Sequence, residues 1–217
     1  MQHWIGSGDM EVEISSWLSA RLLDQKSIKE LHKTFTSSTP FPHLIIKSFL
    51  KSAQAKKLIT ALKKEPFEKK QSDLFSLSQT QDFATTEQKA LKEFYELFQS
   101  KEFTKMISSI TDLKLKGKTI DMAGSLYEDT DYLLCHDDQL EGRRIAYIYY
   151  LSEKFTEKDG GALALLADEQ GKPATVVKRY APIWNSCIFF EVSPKSWHEV
   201  EEVLSKKKRY AIGGWLY

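Results

Sequence analysis

The sequence predicts an α+β protein with helices first and strands after, the strands closing into a barrel or sandwich core. Three observations support this. Apolar residues recur at helical spacing as far as Ile110; short β-rich runs then follow one another from Ile120 to the C-terminus, separated by Gly, Asp, Asn and Pro signals; and no internal repeat or low-complexity linker divides the chain.

In chain order, residues 11–36 carry Ile14, Trp17, Leu18, Leu22, Leu23, Ile28, Leu31 and Phe35 at helical intervals, which predicts helix in one or two pieces. Pro40 and Pro42 end it, and residues 43–50 suit a short strand leading into a helix over 53–63. Residues 65–82 are polar and aperiodic and read as a loop, a candidate lid. Helical spacing returns over 86–110 through Leu91, Phe94, Leu97, Phe98, Phe103 and Ile107, with Thr85 or Thr86 available as N-cap. The β-rich runs fall at 120–127, 132–138, 145–151, 162–167, 174–180, 187–192 and 210–217. Residues 1–10 include a Gly-Ser-Gly stretch and read as a flexible terminus or an appended remnant.

At 217 residues, with 41% hydrophobic and 28% charged side chains, the chain can bury one substantial core. Its formal charge of +1, from 31 basic against 30 acidic residues, gives no global electrostatic case for nucleic acid or an anionic membrane. No apolar run approaches a membrane span, and no secretory leader is evident. Cys135 and Cys187 each lie in an apolar run, which suggests small buried side chains in a reducing compartment, cytoplasmic or nuclear. Neither has a motif for an activated nucleophile, so hydrolase chemistry has little support.

The chemistry-bearing residues lie in the strand-rich half. A lone histidine is more often satisfied by a backbone group than bound to metal. His136 and Asp138, however, stand two apart in a strand-like run, so alternation should aim both the same way and turn Asp137 away. His198-Glu199-Val200 supplies a second imidazole. Two imidazoles and one carboxylate with open coordination positions are the ligand set of non-haem Fe(II) oxygenases. Such a site needs an electron-supplying co-substrate. A dicarboxylate such as 2-oxoglutarate could chelate the iron through its keto acid, and its far carboxylate needs a planar bidentate donor. Arg209 can provide one: it follows Lys206, Lys207 and Lys208, which read as solvated, but it opens a β run.

These residues resemble a known family. Arg209-Tyr210-Ala211-Ile212 with Trp215, His198-Glu199-Val200, Ile148-Tyr149-Tyr150-Leu151, Gly160-Gly161-Ala162-Leu163 and Ile188-Phe189-Phe190 resemble prolyl hydroxylases of the Fe(II)/2-oxoglutarate dioxygenase superfamily, a match covering residues 119–217. More narrowly, Thr119-Ile120-Asp121-Met122, Leu133-Leu134-Cys135-His136-Asp137-Asp138, Leu140-Glu141-Gly142-Arg143-Arg144-Ile145-Ala146 and Phe189-Phe190-Glu191-Val192-Ser193-Pro194 are similar to the ribosomal-protein prolyl hydroxylases, which modify a proline of small-subunit protein uS12. The resemblance implies a double-stranded β-helix (jelly roll) over 111–217, preceded and flanked by helices within 11–110, in a single dioxygenase domain over 11–217. It implies iron on His136, Asp138 and His198, 2-oxoglutarate on Arg209, and O2 as second co-substrate, with ascorbate in support. Tyr127 and Tyr150 fall at co-substrate positions, and Trp215 at a pocket tryptophan, although such aromatics are equally ordinary packing residues. Arg143 and Arg144 fall where the family contacts its protein substrate, with surface solvation the plainer reading. Residues 69–75 resemble a segment that covers the substrate.

The eukaryotic members carry a second, degenerate β-helix domain, whereas this sequence ends at Tyr217 with the catalytic core, so it reads as a single-domain relative or a shortened chain. The expected activity is prolyl hydroxylation of a protein, uS12 first, with release of succinate and CO2. The alternatives are the same chemistry on an elongation factor, a transcription factor or a free amino acid, and a non-catalytic protein-binding relative. Neither a membrane nor direct nucleic-acid binding is required. Oligomeric state is left open.

Overall fold

A computed structural model describes residues 12–217; the terminus assigned to 1–10 lies outside them. The first helical region is broken into short pieces: α1 (Ile14–Trp17), a 3₁₀ turn (Ala20–Leu23) and α2 (Gln25–Ser37). Asp24 starts α2, its carboxylate accepting from the Ser27 N–H at 2.8 Å. β1 (His43–Lys47) and α3 (Ser52–Leu62) follow as expected.

Two expectations need correction here. Residues 65–82 are not an aperiodic loop but contain a hairpin, β2 (Glu68–Gln71) and β3 (Phe75–Gln79). Every β2 side chain is exposed and charged or polar, while β3 alternates apolar with polar only over Phe75–Ser78 and buries Ser76 and Ser78 as well as Leu77, so the segment offers little strand signal. The single helix read over 86–110 is two, α4 (Lys89–Gln99) and α5 (Lys101–Thr111). Ser100 adopts extended backbone between them, and its hydroxyl accepts from the Phe103 N–H at 3.2 Å. Apolar spacing runs through this break because Leu97, Phe98, Phe103 and Ile107 all enter one core. The Thr86 hydroxyl accepts from Gln88 N–H, but the α4 N-cap is Gln88 itself.

The remaining strands are β4 (Ile120–Tyr127), β5 (Tyr132–His136), β6 (Ile145–Tyr150), β7 (Leu163–Glu169), β8 (Lys172–Tyr180), β9 (Ser186–Glu191), β10 (His198–Val200) and β11 (Arg209–Leu216). They pair in the order β1-β9-β6-β11-β4-β3-β5-β10-β7-β8, with β2 on β3. Period-two alternation divides the central strands between two cores. Tyr147 and Tyr149 of β6, Cys187 and Phe189 of β9, and Ile212 and Leu216 of β11 pack against the helices. Their neighbours Ala146, Tyr150, Ile188, Phe190 and Ala211 pack with Leu163 and Leu165 of β7 and Val200 of β10, from the far half of the sheet. The sheet therefore curls over on itself. Its two ends also meet, where the His43 side chain on β1 hydrogen-bonds the Tyr180 hydroxyl on β8 at 2.7 Å.

The helical layer is held by aromatic contacts such as Phe98 with Tyr147, ring centroids 4.6 Å apart, and Phe94 with Tyr149 at 5.6 Å. Burying a side chain of this size contributes about 1.5–3 kcal/mol. β11 lies between β6 and β4, and it needs Gly214 there: a Cβ would sit 1.9 Å from the Asp121 carbonyl oxygen. Cys187 is fully buried as expected, but Cys135 is only half-buried, and both are free thiols. No helix among the described residues is long and apolar enough to cross a membrane.

Candidate metal centre and co-substrate pocket

β5 and β10 bring the two histidines together. His198 pairs with His136, yet Val200 pairs with Leu133, so β5 carries one residue more than its partner over this span. This bulge lets Leu133 and His136, three apart in sequence, line the same cavity. The expected convergence of His136 and Asp138 occurs, but by another route than strand alternation. The strand ends at His136, and Asp138 takes a left-handed conformation (φ 61°), which Asp tolerates better than most residues. The Asp137 carboxylate is turned aside and accepts from the Gln139 N–H at 3.0 Å.

The Asp138 carboxylate lies 3.3 Å from Nε2 of His136 and 3.3 Å from Nε2 of His198. Together they form the group able to hold a metal ion among the described residues, with ligand atoms within 4.8 Å of one another. Each imidazole is oriented through its other nitrogen. Nδ1–H of His136 donates to the Leu134 carbonyl and Nδ1–H of His198 to the Ser196 carbonyl, both at 2.8 Å, which turns each Nε2 toward Asp138, where a metal would replace its proton. Burial alone would raise the Asp138 carboxyl, but hydrogen bonds from His136 and His198 prevail and hold it well below the usual carboxylate range. Burial disfavours the charged form of His136, and its partner Asp138 more than offsets this, raising its pKa.

Arg209 occupies the same cavity, of about 520 Å³. Its side chain is 1% exposed, Nε donates to the Gly161 carbonyl at 2.8 Å, and Nη2 has no hydrogen-bond partner. No carboxylate among the described residues forms an ion pair with it. A buried guanidinium without a counter-ion is costly unless a ligand supplies one. Tyr127, its cross-strand partner, and Tyr150 place their rings 4.8 and 5.3 Å from it. Burial pushes the Tyr127 phenol up to about 12 and that of Tyr150 higher still, so both stay protonated donors, and the Tyr150 hydroxyl is itself unpartnered.

Trp215 lines the cavity with its indole N–H buried and unpartnered. The Arg143 guanidinium stacks 3.3 Å from the centre of that ring, and Nη1 reaches the Asp138 carbonyl at 3.4 Å. Arg144 is exposed and engages the fold through backbone bonds to Leu216 and Val192, so the structure brings Arg143 to the site and leaves Arg144 outside it. The sequence reading missed the apolar wall of Ile148, Leu163, Phe190 and Val200 and, beyond Phe75 of the expected covering segment, the β3 rim residues Leu77 and Gln79. Ile148 and Phe190 could have been found from inward alternation on β6 and β9; Leu77 and Gln79 were hidden with their hairpin.

The donor set suits Fe(II), and the orphaned guanidinium suits the far carboxylate of a dicarboxylate. Comparison with known proteins agrees on the class. Residues 122–217 match the sequence model of the family described as the 2OG-Fe(II) oxygenase superfamily. The family requires Fe(II), 2-oxoglutarate and O2. A solved neighbour, a prolyl-4-hydroxylase of Pseudomonas putida, superposes with a TM-score of 0.69 at 16% identity, covering 86% of this chain and 97% of that one, which identifies the fold as the double-stranded β-helix. Among individual proteins, the chain is 41% identical over 187 residues to prolyl 3-hydroxylase OGFOD1 of Xenopus laevis, covering 83% of this chain and 35% of that protein. It is 32% identical over 219 residues to prolyl 3-hydroxylase sudestada1 of Drosophila melanogaster, covering 94% and 40% respectively. The chain thus spans little more than a third of the length of these relatives.

Proposed function

We propose that the chain is an Fe(II)- and 2-oxoglutarate-dependent prolyl hydroxylase that modifies carbon 3 of a proline in a protein substrate, small-subunit ribosomal protein uS12. One observation carries the co-substrate assignment: a fully buried arginine with an unpartnered Nη2 lies in the cavity that presents two imidazoles and a carboxylate. The names of the relatives support prolyl C-3 chemistry. The segments at 119–122, 133–138, 140–146 and 189–194 support the ribosomal target.

Iron bound with 2-oxoglutarate and O2 supplies the oxidising power that converts a prolyl C–H bond to C–OH, with release of succinate and CO2. In this reading His136, Asp138 and His198 hold the metal and leave its other positions open. Arg209 clamps the far carboxylate, and the Tyr150 hydroxyl, with Tyr127 beside it, is placed to donate a further hydrogen bond. The wall of Ile148, Leu163, Phe190 and Val200 excludes water. The substrate approaches over Trp215, Arg143 and the β3 rim, with the β2–β3 hairpin in the place of the expected lid. We read residues 11–217 as one dioxygenase domain. The free thiols of Cys135 and Cys187 favour a reducing compartment, cytoplasm or nucleus.

The target is tested by incubating the protein with Fe(II), 2-oxoglutarate and air in the presence of a uS12 peptide, intact ribosomes, an elongation factor or a transcription factor, followed by peptide mass spectrometry. The reading expects one added oxygen on a uS12 proline. Oxygen added to another protein and not to uS12 moves the target while keeping the chemistry.

A further inference from the structure

We infer that Ser196 is a positioning residue of the metal centre, clasping the two ligand-bearing segments to each other. Its side chain is fully buried, and two of its atoms work in different directions. The backbone carbonyl accepts from Nδ1–H of His198 at 2.8 Å, fixing that ring so that Nε2 faces Asp138. The hydroxyl accepts from the Ser193 N–H at 3.0 Å, and its proton is placed between the Ser193 carbonyl at 2.8 Å and the Asp137 carbonyl at 3.1 Å. A serine that merely shaped its own turn would need only the Ser193 contacts. The reach to Asp137 joins that turn to a segment distant in sequence.

Asp137 is where such a tie matters. It lies between His136 and Asp138, beyond the last paired residue of β5, where the chain has left the sheet and Asp138 is in the left-handed region. The ladder therefore fixes His136 but not Asp138. Backbone held there by the Ser196 hydroxyl and, more loosely, by Arg143 Nη1 on the Asp138 carbonyl keeps the carboxylate against both imidazoles. Hydrogen bonds behind metal ligands typically govern affinity by about ten- to a hundredfold.

The test is titration of the metal-free full chain with Co(II), read by its visible ligand-field absorption. Ser196→Ala should weaken Co(II) binding by about tenfold or more and alter the absorption bands. Ser196→Thr, which keeps the hydroxyl, should stay near wild type, as should Ser193→Ala, whose hydroxyl only accepts from the Lys195 N–H of the same turn. Ser196→Cys, similar in size but a weak donor, should weaken binding as alanine does and serves if the alanine variant does not fold. Wild-type affinity and bands in both Ser196→Ala and Ser196→Cys would overturn the inference, as would an equal loss in Ser193→Ala. The readout uses metal alone, so it is independent of the prolyl substrate; a wild-type chain that bound no Co(II) would instead remove the metal centre on which the inference rests.

Discussion

Arg209 places the strongest electrostatic demand on a ligand. Its guanidinium is buried beside Tyr127 and Tyr150 with Nη2 unsatisfied, so an incoming carboxylate gains a charge-assisted hydrogen bond at little cost in rearrangement. In the metal-loaded protein, 2-oxoglutarate at a hundred times its Kd should add about 2.7 kcal/mol of stability. Arg209→Met should abolish that thermal shift at the same concentration, and Arg209→Lys should restore little of it, since a point charge cannot reproduce the planar fork. Differential scanning fluorimetry checks both; an undiminished shift in Arg209→Met would remove the anchor role. This residue was legible in the sequence because it opens an apolar strand after a lysine run. The proposed ligands His136, Asp138 and His198 were legible from the His-x-Asp spacing in a strand-like run and the distant His198-Glu199-Val200. Their means of convergence was not: a β-bulge depends on the register of β10 against β5, and the left-handed Asp138 on backbone that a His-x-Asp pattern does not specify. Arg143 and Arg144 could not be told apart either, because stacking on Trp215 depends on the position of β11.

Among the elements, the β2–β3 hairpin departs furthest from expectation, and Asp131 secures it. One carboxylate oxygen accepts from the Ser76 hydroxyl of β3 at 2.6 Å and from the Lys69 ammonium of β2; the other accepts from the Glu128 N–H at 2.9 Å after β4. Burial works against the charged form, but these hydrogen bonds prevail and lower its pKa. A depressed carboxyl gives stability that is present above its unfolded value, about 4, and is lost as pH falls through the folded value. Asp131→Ala should therefore destabilise the protein at neutral pH by about 1–3 kcal/mol in urea melts, and the deficit relative to wild type should shrink below about pH 4. A deficit constant with pH would show that the charge is not what ties the hairpin. β11 makes a second demand on backbone: Gly214→Ala would drive a Cβ into the Asp121 carbonyl and should cost about 3 kcal/mol or more, measured by the same melts. The strands from β4 onward were legible from β-rich runs bounded by Gly, Asp, Asn and Pro, and the central ones among them alternate between two cores. The hairpin was not, since its strands bury serines and expose charges, and the Ser100 break was masked because α4 and α5 fill one core in continuous apolar spacing.

For the whole molecule, the curled sheet brings His136 of β5, Asp138 of the loop after it and His198 of β10, the proposed metal ligands, into one cavity with Arg209 of β11, the proposed anion anchor. The class of fold could be read from helices preceding strands, and the closed β-helix from the family resemblance, but the contacts that close it could not. Closure depends on strand order and on contacts between distant strands, such as His43 with Tyr180 and Phe190 with the His198 ring, centroids 4.6 Å apart. In the proposed reaction this assembly oxidises a prolyl residue through a metal held by His136, Asp138 and His198. The most direct measurement follows succinate and peptide-bound oxygen together in a reaction of the chain with Fe(II), 2-oxoglutarate, O2 and a uS12 peptide. The account predicts one succinate for each oxygen gained on the proline, and loss of both by at least about a hundredfold in Asp138→Ala. Coupled turnover that survives Asp138→Ala, or succinate formation that leaves every prolyl residue unmodified, would contradict it.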